Sequence, residues 1–211
     1  MPRRQSGSRT KDDAFRISRA LALEAYAKVE SELSYLLSAV IGGRHDTAAI
    51  IFFKIGNTGA RNAIISSLLE HIHGDKYDTY WHGQPGGGGV ARVPGLLSLI
   101  NSLDTRRNEI VHWHPTESVS LGPDGSTKHW EDLRPAFFWA RGNATPIATD
   151  DFDEFTAKAQ FVEKSLQMLW RIMRSPQKVS EVELQSWTQI FQQPVPYPPP
   201  SAHPLAQKPQ E

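Results

Sequence analysis

Apolar residues recur along much of the chain at the three- and four-residue spacing of amphipathic helices. From about Asp12 to Ile41, the positions Phe15, Ala22, Tyr26, Val29, Leu33, Leu36, Leu37 and Val40 share one stripe, which Gly42 and Gly43 close. This predicts a helix of about 30 residues, too long to stand without packing along its length. A second stripe (Ile50, Phe53, Asn57, Ala60, Ile64, Leu68, Ile72) starts after a capping His45-Asp46 and keeps its phase across Gly56 and Gly59. It predicts one helix, kinked at those glycines and ending at Gly74. Close helix–helix packing is the plainer use of the two glycines, since no phosphate-loop motif and no preceding strand accompany them.

Residues 75–92 read as a loop, with Gly86 to Gly89 serving as slack in a connection or as a lid. The strongest helical pattern follows, from Val93 to His114. At about 100° per residue, Val93, Leu96, Leu97, Ile100, Leu103, Ile110 and Val111 fall on one face. Pro94 suits its first turn and Pro115 stops it. The period then changes. Val119 and Leu121 precede a turn signal from Gly122 to Gly125, and the apolar run Ala136 to Ala140 comes later, so a small antiparallel β-insertion is expected at about 116–148. Thr149, Asp150 and Asp151 cap a further helix through Phe155, Ala159, Val162, Leu166, Leu169 and Met173. Ser180 and Glu183 form a capping-box pair that opens a shorter helix through Leu184, Trp187 and Phe191.

The expected architecture is therefore mainly α: a bundle of four to five helices with one β-insertion. Residues 1–10 read as a flexible arm, residues 11–192 as the helical domain, and residues 193–211 as a disordered tail holding seven prolines. Composition narrows the function. Lys plus Arg and Asp plus Glu both total 23, so no global field draws the protein to nucleic acid or to an acidic membrane. The absence of cysteine excludes disulfides, thiolate catalysis and Cys-type zinc sites. Neither a secretory signal nor an apolar run long enough to span a bilayer is evident, and a cytoplasmic protein without a membrane partner is expected.

The chemistry concentrates in Arg106, Arg107, Asn108 and His112. Arg107 interrupts the apolar face of its helix, and an isolated guanidinium there would cost several kcal/mol unless paired. Either it pairs with Asp104, or this face meets a polar cleft or another subunit. Asn57 and Arg61 share a stripe on the preceding helix and are candidates to line the same cleft. His residues two apart on a helix point nearly opposite ways, so His71, His73, His112 and His114 make a poor metal site, and no metal is expected.

Arg107-Asn108-Glu109-Ile110-Val111-His112, on a late bundle helix, resembles the RxxxxH signature of HEPN domains in its RN-x-x-x-H form. The resemblance covers roughly Ala14 to Arg174. It implies a helical bundle that pairs as a homodimer, with Arg and His of both copies forming a metal-independent endoribonuclease site that needs no cofactor. Many such domains act in prokaryotic toxin–antitoxin, defence or stress systems, which implies RNA as substrate and a protein antitoxin or regulator as a further partner. By the same resemblance Arg107, His112 and Asn108 are the catalytic set. Arg106 offers an alternative spacing to the same histidine and, with Arg61 and Asn57, stands as a substrate-binding candidate. The chemistry fits: an imidazole titrates near neutrality and can take a 2′-OH proton, and a forked guanidinium can hold a charged phosphorane. Two other readings stand beside it. One is a non-catalytic HEPN-like dimerisation or interaction module. The other is a small-ligand or nucleotide-binding helical bundle, suggested by the Gly-rich stretch before the key helix.

Overall fold

In the computed structural model, residues 6–86, 93–135, 144–195 and 197–206 are described. Helix α1 runs over Ser6–Val40, α2 over His45–Lys54, α3 over Thr58–His73 and α4 over Asp78–His82. Helices α5 (Leu96–His112), α6 (Thr149–Arg174) and α7 (Glu181–Ile190) follow. Two small antiparallel sheets complete the elements: β1 (Gly83–Gln84) with β2 (Val93–Pro94), and β3 (His114–Leu121) with β4 (Thr127–Arg134). The described chain is thus mainly helical, and no helix in it is long and apolar enough to cross a membrane.

The chain divides into two compact units, one formed by Met1–Tyr26 with Thr105–Ala157, the other by Ala27–Asp104 with Lys158–Glu211. In the first, Phe15, Ala22, Tyr26, Ile110, Phe152 and Phe155 are buried. The Phe15 and Phe152 rings meet edge to face at 5.2 Å, a favoured aromatic geometry. The β3–β4 ribbon pairs His114 with Arg134 at its base and Leu121 with Thr127 at its tip. Its turn, Gly122 to Ser126, is held by hydrogen bonds from the Ser126 amide and hydroxyl to Asp124 Oδ1, and Gly125 takes a left-handed φ of 78°. Most of the ribbon is exposed, Val119 and Leu121 included. Its anchor is buried Asp132, which accepts from Arg134 Nε at 2.9 Å, Arg134 Nη2 at 3.0 Å and the Ser118 hydroxyl at 2.9 Å. Burial works against that charge, but the guanidinium and the hydroxyl more than offset it and hold the carboxyl below the ordinary range. The apolar run 136–140 lies outside the described residues.

In the second unit the core is built from the continuing stripe of α1 (Val29, Leu33, Leu36, Leu37, Val40), the first half of α5 and the later stripe of α6. Several expectations are corrected here. The single kinked helix over 45–74 is two helices, because Asn57 breaks the chain direction and caps α3 through a 2.9 Å bond from the Ala60 amide to its Oδ1. The stretch read as a loop after residue 75 carries a 3-10 turn (Gly74–Tyr77), α4 and β1, with Tyr77, Tyr80 and Trp81 buried; Gly87 to Gly89 lie outside the described residues. Helix α5 begins at Leu96 because Val93 and Pro94 pair with Gln84 and Gly83. There a Cβ on Gly83 would stand 2.2 Å from the Val93 carbonyl oxygen, and one on Gly95 would stand 2.3 Å from the Gly83 nitrogen. Only glycine permits that crossing.

The two ends of the chain differ as well. The backbone is helical from Ser6, within the stretch read as an arm. Within the stretch read as a disordered tail, side chains are docked at intervals: Val195 and His203 are buried, and the Tyr197 ring lies 5.4 Å from the Phe161 ring. Proline prevents a helix in this stretch, but it does not prevent docking of the side chains between prolines.

Candidate functional site

The last two turns of α5 lie in the first unit and are held from two sides, by α1 and by α6. Arg19 of α1 donates to the Ile110 carbonyl from Nε at 3.1 Å and from Nη2 at 2.7 Å. A cation is favoured at a helix C-terminus, where carbonyls lack intrahelical partners. Arg106 is engaged on both sides, donating to Glu109 at 2.9 Å and to Asp151 of α6 at 3.1 Å. Asp151 in turn accepts from the Ala148 amide at 2.7 Å and so closes the start of α6. Arg106 therefore acts as a clasp between α5 and α6 and has little freedom to bind a substrate.

Arg107 is half-buried and finds two partners in the same unit. Its guanidinium carbon stands 5.5 Å from the centre of the Tyr26 ring, within cation–π range. Its Nη1 donates to Asn108 Oδ1 at 3.0 Å. The cost of placing a guanidinium on an apolar face is thus met by an aromatic face and a side-chain amide. Asn108 and His112 are exposed and lie one turn apart, on one side of the helix. Arg107 and His112 are about 140° apart around the helix axis at 100° per residue. Together the three residues offer an anchored cation, an amide that orients it and an accessible imidazole. His114 begins β3 and pairs in register with Arg134.

Asn57 and Arg61 belong to the second unit, and both are occupied. Asn57 is the α3 cap described above. Arg61 donates to the Ile55 carbonyl and to Glu30 Oε1, both at 2.7 Å, and its guanidinium carbon lies 4.9 Å from the centre of the Phe52 ring. Both residues hold the α2–α3 corner together.

A cleft not anticipated in the sequence also lies in the second unit. It has a volume of about 330 Å³ and is lined by His82, Pro94, Leu97, Ser98 and Asn101. His82 Nδ1 stands 2.7 Å from Asp78 Oδ1, which orients the ring, and Asn62 Nδ2 donates to Asn101 Oδ1 at 3.0 Å, which fixes that amide. The only trace in the sequence was Asp78 four residues before His82, within the stretch read as a loop. Among the described residues, no group of three or more His, Asp or Glu side chains is gathered as metal ligands would be. Comparison of the chain with known protein families, with curated proteins and with solved structures finds no match.

Proposed function

We propose that the chain is a metal-independent endoribonuclease of the HEPN type that works as a homodimer, with Arg107, Asn108 and His112 as its catalytic set. The observation that carries this reading is the 3.0 Å hydrogen bond from Arg107 Nη1 to Asn108 Oδ1. It ties the guanidinium to the side of α5 on which His112 is exposed. Arg107 and His112 leave the helix about 140° apart, so in this reading two copies complete the site. Two copies crossing near Arg107 would pair the cation of one with the imidazole of the other.

In this scheme His112 of one copy takes the proton from an RNA 2′-OH. The 2′ oxygen then attacks the adjacent phosphorus, and the 5′ oxygen leaves with a proton from the second imidazole. Arg107 neutralises the charge on the phosphorane through its fork, which a lysine cannot reproduce. The products are a 2′,3′-cyclic phosphate and a 5′-hydroxyl. A protein antitoxin or regulator that covers His112 would complete a toxin–antitoxin or defence system.

One observation favours a second reading, the non-catalytic interaction module: the stacking of Arg107 on Tyr26 would satisfy the guanidinium with no substrate present. Product analysis separates the two. Purified protein incubated with single-stranded RNA in EDTA yields 2′,3′-cyclic phosphate ends under the nuclease reading. RNA left intact, or cut to 3′-hydroxyl ends, contradicts it.

A further inference from the structure

Helices α2 and α3 carry two apolar faces, and the fold buries one of them. Ala48, Phe52, Ile65 and Leu69 point into the second unit and are at most 4% exposed. On the other side Ile50 is 65% exposed, Phe53 52%, Ile64 40% and Ile72 46%. This outer face is continuous across the corner: the Phe53 ring centre lies 5.7 Å from the Arg61 guanidinium carbon, and Arg61 is one turn before Ile64 on α3. A helix that is apolar on both sides is ordinarily covered on both sides.

We propose that a second copy of this chain covers that outer face, through α3 packed on α3 about a two-fold axis. The face has the relief that self-pairing needs. Ala60, Ile64, Leu68 and Ile72 follow one another at four-residue spacing and make a ridge. Beside it Gly59, Ala63 and Ser67, all exposed, follow at the same spacing and make a shallow groove. Ridge-into-groove packing of two such rows is the commonest helix-pairing class, with an interaxial angle of about −50°. A two-fold axis near Ala63 lets the ridge of each copy enter the groove of the other, so one surface serves both partners.

Charge and area agree with this occupant. On α3, the helix proposed to pair, the cation Arg61 is already neutralised by Glu30 at 2.7 Å, with the two side chains 12% and 21% exposed, while exposed Lys54 stands at the α2 end of the face. The α3 part of the face, where the two-fold axis is proposed, therefore presents an already paired cation to a phosphate backbone or an acidic peptide. The four side chains together expose the equivalent of about two open large apolar side chains, roughly 300–400 Å² per copy at about 150–200 Å² each. That matches the largest apolar patch of a typical monomer, a patch that is often functional. Counted on both copies, with Leu68, Ala60 and Ala63 added along the 16 residues of α3, it comes near the roughly 1,000 Å² at which a specific interface begins. The inference stands apart from the nuclease reading, which rests on the first unit.

The chain has no cysteine, so a single introduced one reports position without ambiguity. Ala63→Cys, beside the proposed axis, is expected to give a covalent dimer on mild oxidation or with a short bis-maleimide. Glu181→Cys, also exposed and on α7, should not. Ile64→Lys, at an exposed site, is expected to keep the circular dichroism and melting temperature of the wild type. It should also halve the mass seen by light scattering, from dimer to monomer, or from tetramer to dimer where α5 helices pair as well, and abolish the Ala63→Cys crosslink in the double variant. His112→Ala should leave the crosslink unchanged. Wild type that stays monomeric at tens of micromolar would overturn the proposal. So would Ala63→Cys crosslinking no better than Glu181→Cys, or self-association that survives Ile64→Lys at full mass.

Discussion

The Arg19 guanidinium holds the Ile110 carbonyl with two hydrogen bonds, of 2.7 and 3.1 Å, two residues before His112. A weaker third bond reaches the Val111 carbonyl at 3.4 Å. The end of α5 is thereby pinned to α1 across 91 residues of sequence. His112 thus extends from a fixed turn rather than a fraying one. Arg19→Met keeps the aliphatic stem and removes the donors. The expected loss is about 1–2 kcal/mol for a charge-assisted pair at a helix terminus, or a melting temperature lower by a few degrees in a chain of this size. The amide of His112 should also exchange faster with solvent. An unchanged melting temperature and exchange rate would show that α5 holds its last turn unaided.

Asn57 separates a structural from a substrate-binding role. As the α3 cap, its replacement by Ala should cost about 1 kcal/mol and leave RNA cleavage per folded molecule unchanged, while Asn57→Asp should restore the stability. A large loss of RNA affinity in the Asp variant at full stability would return Asn57 to the substrate path.

The tail is expected to contribute to stability. Val195 is 1% exposed, and the His203 ring packs edge-on against Trp187 at 5.6 Å. Ending the chain at Gln193 uncovers Phe161 and Trp187 and should remove roughly 2–3 kcal/mol of burial, lowering the melting temperature by about 5 °C or more. A truncated protein that melts with the wild type would mean that the tail packs without contributing.

His203 gives that docking a pH dependence. Burial holds its ring below the ordinary histidine value of 6.5, and its Nδ1 accepts from the Leu205 amide at 3.2 Å, a role that protonation would end. Between the folded and unfolded values the unfolded chain binds more protons, so stability rises with pH there. The contribution is complete above pH 6.5 and declines as pH falls toward the lower folded value. His203→Phe should keep the packing and flatten part of this slope. His73, also lowered, chiefly by burial and then by Lys76, leaves a remainder. Identical slopes in wild type and His203→Phe would contradict the assignment.

What could be read from the sequence follows how one-sided each helix is. Every position of the α1 stripe, from Phe15 to Val40, is buried, and so are Phe155, Ala159, Val162, Leu166 and Leu169 of α6. These helices have one apolar face, so periodicity has one solution. On α2 and α3 the stripe through Ile50, Phe53, Ile64 and Ile72 is the exposed one, and the buried set Phe52, Ile65 and Leu69 lies one residue away, about 100° around the axis. Both faces are apolar there, and the pattern alone cannot choose between them. Tyr77, Tyr80 and Trp81 were hidden because elements this short are fixed by what they pack against, not by their own repeat. At the candidate site, the residue types and their placement on α5 were legible. The engagement of Arg106 by Asp151 was not, because 45 residues and a whole hairpin separate the two in sequence.

The most direct test of the nuclease assignment compares wild type with His112→Ala, each freed of contaminating nuclease, on single-stranded RNA in EDTA. His112 is exposed, so its replacement should leave the fold of the chain intact, and the mass of the two proteins is compared alongside. The cleavage rate is predicted to fall by about 10²–10⁴, the range for losing a general acid or base. Equal cleavage by the two proteins, both folded to the same mass, would contradict the assignment of the site.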